Sequence, residues 1–250
     1  MKAKLACLVA VLVLSASALR ADSDKTSWSV TTSVQNKYLN LAGVDLSDGR
    51  PTITTAIQGT QGDRFFGFWG STGMSAAGPH ASASANEYHL FAGLNHEFGP
   101  VRYTASAAYF AFANLRRSDD DIYVLDQRIS WFEAPFVQPY VMIRAFNQVT
   151  HSSPGPGWFG WVGLQHTEKI RNQGFNLDLS AGYSDGPMNR PSGPVFCRIT
   201  CSTSIKLDDE FKLTPAILFQ VPIGSQRHEP RAFTRSNQTV ASLALTWTPR

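Results

Sequence analysis

Downstream of Ser27 the chain alternates apolar and polar residues at every second position, not every third or fourth. Phe175, Leu177, Leu179, Ala181 and Tyr183 are interleaved with Asn176, Asp178, Ser180 and Gly182. Val101, Tyr103, Ala105, Ala107 and Tyr109 are interleaved with Arg102, Thr104, Ser106 and Ala108, and Tyr88, Leu90, Ala92 and Leu94 repeat the pattern. Successive side chains of a strand point to opposite faces, so each segment has one apolar face and one more polar face. The pattern predicts strands over 28–41, 51–59, 64–72, 87–98, 101–113, 121–133, 136–149, 158–170, 174–185, 198–207, 212–222 and 238–248. Globular strands usually run about 5–6 residues, whereas a tilted strand that crosses a bilayer needs about 9–11. Most of these segments fall in the second class.

The connections sharpen the reading. Gln61 to Asp63, Gly99-Pro100, Ala134-Pro135, Arg171 to Gln173 and Asp208 to Phe211 are short. The links between them are long: Ala42 to Arg50, Gly73 to Asn86, Asn114 to Asp120, Thr150 to Gly157, Gly186 to Cys197 and Gly224 to Asn237. Strict alternation of short and long links is the plan of an outer-membrane barrel, with short periplasmic turns and longer external loops. Lipid offers backbone amides no hydrogen bonds, so a membrane-embedded sheet must close on itself. The expected fold is therefore all-β: a closed antiparallel transmembrane barrel of about twelve strands, with Gln238 to Thr248 as the closing strand. Trp28, Tyr38, Tyr88, Phe98, Tyr103, Tyr109, Tyr123, Trp131, Phe175 and Tyr183 lie near strand ends, the depth of the interfacial aromatic girdles. A soluble β-domain would instead bury them in its core.

The N-terminus fits this compartment. Lys2 and Lys4 precede an unbroken apolar run from Leu5 to Leu14, followed by the small, polar stretch from Ser15 to Ala21. This is the layout of a secretory signal peptide over 1–21, and the apolar run is too short for a membrane helix. Cleavage after Ala18 and cleavage after Ala21 both fit. The mature chain, 22–250, is then a single barrel domain. Removing Lys2, Lys4 and Arg20 lowers Lys plus Arg from 22 to 19, against 19 Asp plus Glu, so the mature chain is formally neutral. The basic balance of the precursor resides in the signal and gives no support for a nucleic-acid partner.

Residues 36–72 carry a family resemblance. Asn36-Lys37-Tyr38-Leu39-Asn40-Leu41-Ala42-Gly43 runs into Asp48-Gly49-Arg50-Pro51, and Phe66-Gly67-Phe68-Trp69-Gly70-Ser71 follows. These stretches resemble the first strands of the TorF-type porins of Gram-negative bacteria. That family shows a tyrosine, an Arg-Gly step, an Asp-Gly-x-Pro turn and an aromatic-Gly-x-Trp-x-Ser strand. Tyr38, Gly43, Asp48, Gly49, Pro51 and Trp69 match it, while Ala42 stands where the arginine is expected. The resemblance implies an outer-membrane barrel more firmly than any particular solute. Such barrels commonly end on an aromatic residue read by the barrel-assembly machinery. The chain ends Thr246-Trp247-Thr248-Pro249-Arg250, which leaves Trp247 for that role.

Catalytic chemistry finds little purchase. His80-Ala81-Ser82 and His151-Ser152-Ser153 have a His-x-Ser spacing used by outer-membrane lipid hydrolases, but both fall in expected loops, with no strand to hold an orienting carboxylate. His89 and His96 lie on opposite faces of one strand, and Asp119-Asp120-Asp121 reads as a solvated loop. No cofactor or metal is expected. After signal removal Cys197 and Cys201 remain. Four residues of extended strand span about 13 Å, and a disulfide needs Cα atoms within about 7 Å. A bridge therefore requires 197–201 to curl as a loop, with the strand starting nearer Ser202; unpaired thiols are the other reading.

The remaining information lies on the polar faces. Lys37, Arg102, Arg128, Arg144, Arg198, Lys206 and Lys212 set seven basic groups against the four acids Glu87, Glu97, Asp126 and Asp178. Charges at mid-membrane cost about 2–4 kcal/mol if they face lipid, so these should line the lumen. Asp126 and Arg128 on one strand and Arg144 on the next sit at similar depth. They form either a charged constriction or a salt-bridged plug. The first implies a lipid-embedded channel for small polar solutes with a mild preference for anions. The second implies a structural or ligand-binding barrel with a closed lumen. Either way the mature protein is expected in outer-membrane fractions, with mobility on gels that changes on heating. Recovery as a soluble monomer in osmotic-shock fluid would contradict the barrel.

Overall fold

The computed structural model describes residues 25–40, 43, 45–47, 49–74, 86–112, 121–149, 155–171, 173–187, 192–224, 227 and 236–249. The expected signal peptide, both His-x-Ser motifs, Asp48, Asp119 and Asp120 lie outside the described residues. Twelve strands follow one another: β1 (Ser27–Gln35), β2 (Thr52–Gln61), β3 (Arg64–Gly73), β4 (Glu87–Phe98), β5 (Val101–Phe112) and β6 (Ile122–Trp131), then β7 (Gln138–Gln148), β8 (Gly157–Ile170), β9 (Gln173–Asp185), β10 (Ser192–Lys206), β11 (Phe211–Pro222) and β12 (Gln238–Trp247). Each pairs antiparallel with its sequence neighbours. β12 returns to β1 from Val30↔Trp247 to Gln35↔Ser242, so the sheet is a closed barrel with no free edge.

The turns follow the expected alternation. Gly62-Asp63 and Gly99-Pro100 each connect a hairpin in two residues. Gly62 and Gly99 take φ of 55° and 58°, the positive hand that lets a two-residue turn match the twist of its strands. The start of β1 and the end of β12 both lie on this short-turn side. Two boundaries depart from the pattern. β1 stops at Gln35, not 41, because residues after it fold across the barrel mouth. β10 starts at Ser192, ahead of 198, because a register shift between Pro194 and Phe196 admits the proline that cannot donate to a ladder.

That longer β10 removes the curl a disulfide would need. Cys197 pairs with Ala181 and Val221, and Cys201 with Leu177 and Ile217, in continuous strand. Both are free, exposed thiols on the outward face. At four positions' separation along a strand they stand about 13 Å apart, beyond bridging distance.

The outward face is mostly apolar: Val34, Ile57, Leu90, Leu125, Val141, Val162, Leu179, Ile199, Ile217 and Leu243 are all exposed, as lipid contact demands. Two rings of aromatics bound this belt. Trp28, Phe98, Trp131, Phe175 and Trp247 lie outward near the short turns. Near the long loops, Trp158 stacks on Tyr183, Tyr109 meets Tyr123, and Phe68 stacks on Tyr88. Tyr38 does not join them: it is 8% exposed and points inside.

Facing can be tested at adjacent positions. Leu243 is 49% exposed on the outer wall, while Ser242 pairs with Gln35 and Ala216 on the inner one. Leu243→Arg is expected to lower barrel stability by about 2–4 kcal/mol, the mid-membrane cost of a cation, and Ser242→Arg by much less. Equal folded yields in lipid would reverse the facing.

Candidate functional site in the barrel lumen

Inward side chains divide the lumen into three levels. At mid-height, register places Asp126 opposite Arg144 on the neighbouring strand. The guanidinium forks onto the carboxylate, Nε to Oδ1 and Nη2 to Oδ2, each at 2.6 Å. The two side chains are 13% and 16% exposed, so this pair is largely withdrawn from water. Arg128, two residues along β6, lies with its guanidinium 4.1 Å over the Tyr140 ring and donates to Gln165 at 3.2 Å. The Tyr140 hydroxyl donates in turn to Asp178 at 3.1 Å. On β10, next to the strand that carries Asp178, Arg198 stacks over Phe196 at 4.3 Å and donates twice to Gln220 Oε1, at 3.1 and 2.7 Å.

Toward the short turns the lumen widens into a polar cup of about 650 Å³. Asp63, Asn95, Glu97, Arg102, Thr104 and Arg128 are among the residues that line it. Arg102 grips Glu97 Oε1 through Nε and Nη2 at 3.0 and 2.6 Å, and its guanidinium lies over Phe132. His96 Nδ1 stands 3.0 Å from Asp63 Oδ2.

Toward the long loops the interior turns apolar. Phe110, Ile122, Val124, Phe146, Phe159, Trp161, Val195 and Phe196 form one buried cluster on β5–β8 and β10. The other part of the cross-section holds Tyr38 and Leu46, packed against Trp69. The Tyr38 hydroxyl donates a short hydrogen bond to Glu87 Oε1. Burial, then the charge of Glu87, pushes the Tyr38 phenol well above its usual range, which keeps it a donor. Glu87 Oε1 also lies 3.3 Å from His89 Nε2, and the His89 ring is sandwiched by Trp69 and Phe110.

The site residues expected from sequence thus separate. Asp126 and Arg144 meet directly; Arg128 and Asp178 meet through Tyr140. Gln127, between them, faces outward and is exposed. Arg102 belongs to the cup, well below the ion pair, and Lys37 lies beyond β1, donating to Gln238 at 2.7 Å. Of the TorF-like positions, Tyr38, Gly43 and Trp69 converge at the long-loop mouth. Gly49 donates its amide to Asp45 Oδ2 in the turn before exposed Pro51. The inward aromatic cluster escaped the sequence reading. Its signal is visible at Trp158-Phe159-Gly160-Trp161, where alternation lapses and both faces become apolar.

No family model matches the chain, and no curated protein matches it in sequence. Solved barrels do match it in shape. The KdgM porin superimposes with a TM-score of 0.55 at 9% identity, over 90% of this chain and 99% of that one. The NanC porin gives 0.54 at 8% identity, over 88% and 98%. An outer membrane channel from Pseudomonas putida F1 gives 0.56 at 9% identity, over 92% and 97%. At such identity the likeness is one of fold: a closed barrel of the outer-membrane porin type.

The ion pair sets a measurable expectation. Removing one partner of a buried pair strands the other charge, at a cost of about 3–5 kcal/mol. Asp126→Ala and Arg144→Ala are each expected to lower unfolding stability on that scale, and the double variant by clearly less than their sum. Additive losses in a denaturant double-mutant cycle would show that the two groups do not depend on each other.

Proposed function

We propose that the chain is an outer-membrane channel for passive diffusion of small polar solutes, mildly anion-preferring and without a cofactor. The observation that carries this reading is the open polar cup, which leads from the short-turn end directly onto Arg128. In the orientation of outer-membrane barrels that end faces the periplasm. The fold it shares with porins and the apolar outer wall support insertion in outer-membrane lipid. Trp247, near the C-terminus, is the residue available to the barrel-assembly machinery. The TorF-type resemblance over 36–72 is read as kinship on the same grounds.

The anion preference is local, not a net surplus. Of the seven basic groups, Arg102, Arg144 and Lys206 are paired with Glu97, Asp126 and Asp209. Arg128 is held by an amide and an aromatic ring and makes no carboxylate ion pair among the described residues. A fixed guanidinium in a narrow, partly dehydrated passage attracts anions more strongly than it does in bulk water. One observation favours a second reading. The apolar cluster at the long-loop end is what a structural or ligand-binding barrel with a closed lumen would also show.

Planar-bilayer recording separates the two. Under a salt gradient the reversal potential is expected to favour anions weakly. Arg128→Glu is expected to move it toward cations, and Arg128→Glu/Arg144→Glu further. Selectivity that ignores both changes would place these arginines away from the ion path, and a folded protein that never conducts would establish the closed barrel.

A further inference from the structure

One amide side chain interrupts the apolar outer wall. Between Asp126 and Arg128 on β6, Gln127 is turned outward and exposed, in a row with Tyr123, Leu125, Ile129 and Trp131. Tyr123 and Trp131 lie at the two aromatic rings, each about 13 Å from Gln127 along the strand. The Gln127 amide is therefore at the middle of the lipid-facing belt, farther from either interface than its side chain reaches. Midway along the other strands the outward positions hold apolar residues, threonine or cysteine. The threonines, Thr32 and Thr55, are cross-strand partners and bond to each other at 3.4 Å.

Gln127 has no such neighbour. Register places Ala105 of β5 and Ile143 of β7 beside it. Its side chain makes no hydrogen bond among the described residues, and the backbone around it is taken up by the ladders to β5 and β7. Lipid chains offer neither donor nor acceptor, so an amide left among them forgoes the bonds it would make in water. What satisfies it must supply both a donor and an acceptor at mid-membrane depth. Headgroups and water stand at the wrong depth. A second copy of this chain stands at the right one: copies inserted in one orientation hold each residue level with its counterpart. An amide carries one carbonyl and one NH2 group, so two glutamines related by a two-fold axis along the membrane normal bond to each other reciprocally. The local relief permits the approach. Ala105 beside Gln127, and Ala107 and Ala145 on either side of Leu125, end at Cβ, so the wall is low on the long-loop side of the amide.

We propose that the outer wall of β5 and β6 is a homodimer interface, in which Gln127 is hydrogen-bonded to Gln127 of the partner subunit in the middle of the membrane. A two-fold contact uses one patch on both copies. A ring of three or more would set that patch against a different face of the next copy, and among the described residues no other amide stands midway along the outer face of a strand. The contact leaves each lumen to itself, because Asp126 and Arg128, on either side of Gln127, point inward to Arg144 and Gln165. It requires only a closed barrel in lipid, and it holds whether or not the barrel conducts.

Energy transfer between labelled copies in liposomes tests the interface. With Cys197 and Cys201 replaced by serine, Glu133→Cys puts a single thiol in the barrel, on the exposed turn that follows β6. Asp209→Cys puts it instead on the turn between β10 and β11, toward the far side of the ring. Donor-labelled and acceptor-labelled protein are mixed and reconstituted at a low protein-to-lipid ratio, and heat-dependent gel mobility confirms folding. Transfer is expected to be strong for Glu133→Cys and several-fold weaker for Asp209→Cys, because the two-fold contact brings the β6 rims together. Adding Gln127→Leu to Glu133→Cys is expected to lower transfer about fivefold or more while the barrel still folds, since lipid tails are as apolar as leucine and nothing replaces the lost bond. Transfer no stronger for Glu133→Cys than for Asp209→Cys overturns the interface. Transfer that a folded Gln127→Leu variant leaves unchanged overturns it as well, because the contact would then not rest on the amide.

Discussion

The β1–β12 ladder is the interaction on which everything else depends. Without it, Val30 to Gln35 and Ser242 to Trp247 would present unpaired amides to lipid, where each costs several kcal/mol. Closure forces an even strand count for a purely antiparallel ring. It brings the start of β1 and the end of β12 to one rim and gives every residue of every strand a fixed side. The apolar girdled exterior and the polar interior are thus one constraint seen from two faces, since a register slip of one residue would exchange them.

Inside the ring the problem is satisfaction, not solvation. Inward groups at mid-height have limited water, so the lumen pairs them: carboxylate with guanidinium at Asp126 and Arg144, guanidinium with ring and amide at Arg128, guanidinium with amide at Arg198. Tyr140 links Arg128 to Asp178, since its ring carries the guanidinium and its hydroxyl donates to the carboxylate. The short-turn cup escapes this demand because it is open to water and tolerates exposed pairs such as Arg102–Glu97. The lumen is therefore asymmetric in chemistry as well as in shape.

Strands were legible because period two is a local property, and ten residues of it cannot be mistaken for a helix. The strand count, the alternating turns and the inward parity of Asp126, Arg128, Arg144 and Asp178 all follow from it. Which charges meet was not legible, because partners are set by cross-strand register: Asp126 reaches Arg144 at a neighbouring position, while Arg102 of the same polarity reaches Glu97 across a hairpin. Tyr38 looked like a girdle residue because its distance from the strand end fits one. Its true place depends on a backbone that turns inward at Asn36. The cysteines misled because Pro194 suggested a loop, and the bulge that lets a proline sit in β10 leaves no mark of its own in sequence.

The inward aromatics bear on where a passage can lie. An apolar side chain facing lipid needs no partner, but one facing a lumen must pack against something or leave a cavity. Phe110, Phe146, Phe159, Trp161 and Phe196 therefore commit the β5–β8 and β10 side of the long-loop mouth to being filled, and they are anchored to strands whose hydrogen bonds hold them in place. The remaining side, under β1 to β4 and β11 to β12, has many small or polar inward groups, such as Thr31, Ser33, Thr52, Ser71 and Ser242, beside the inward Trp69. It is filled by a segment from outside the sheet. The first side is held by apolar packing; the second includes polar contacts to the wall, among them Tyr38 to Glu87 and Gln220 to Gly43. The long-loop mouth thus has two unlike halves: one filled by side chains anchored to the sheet, the other by side chains such as Tyr38 and Leu46 that come from outside it.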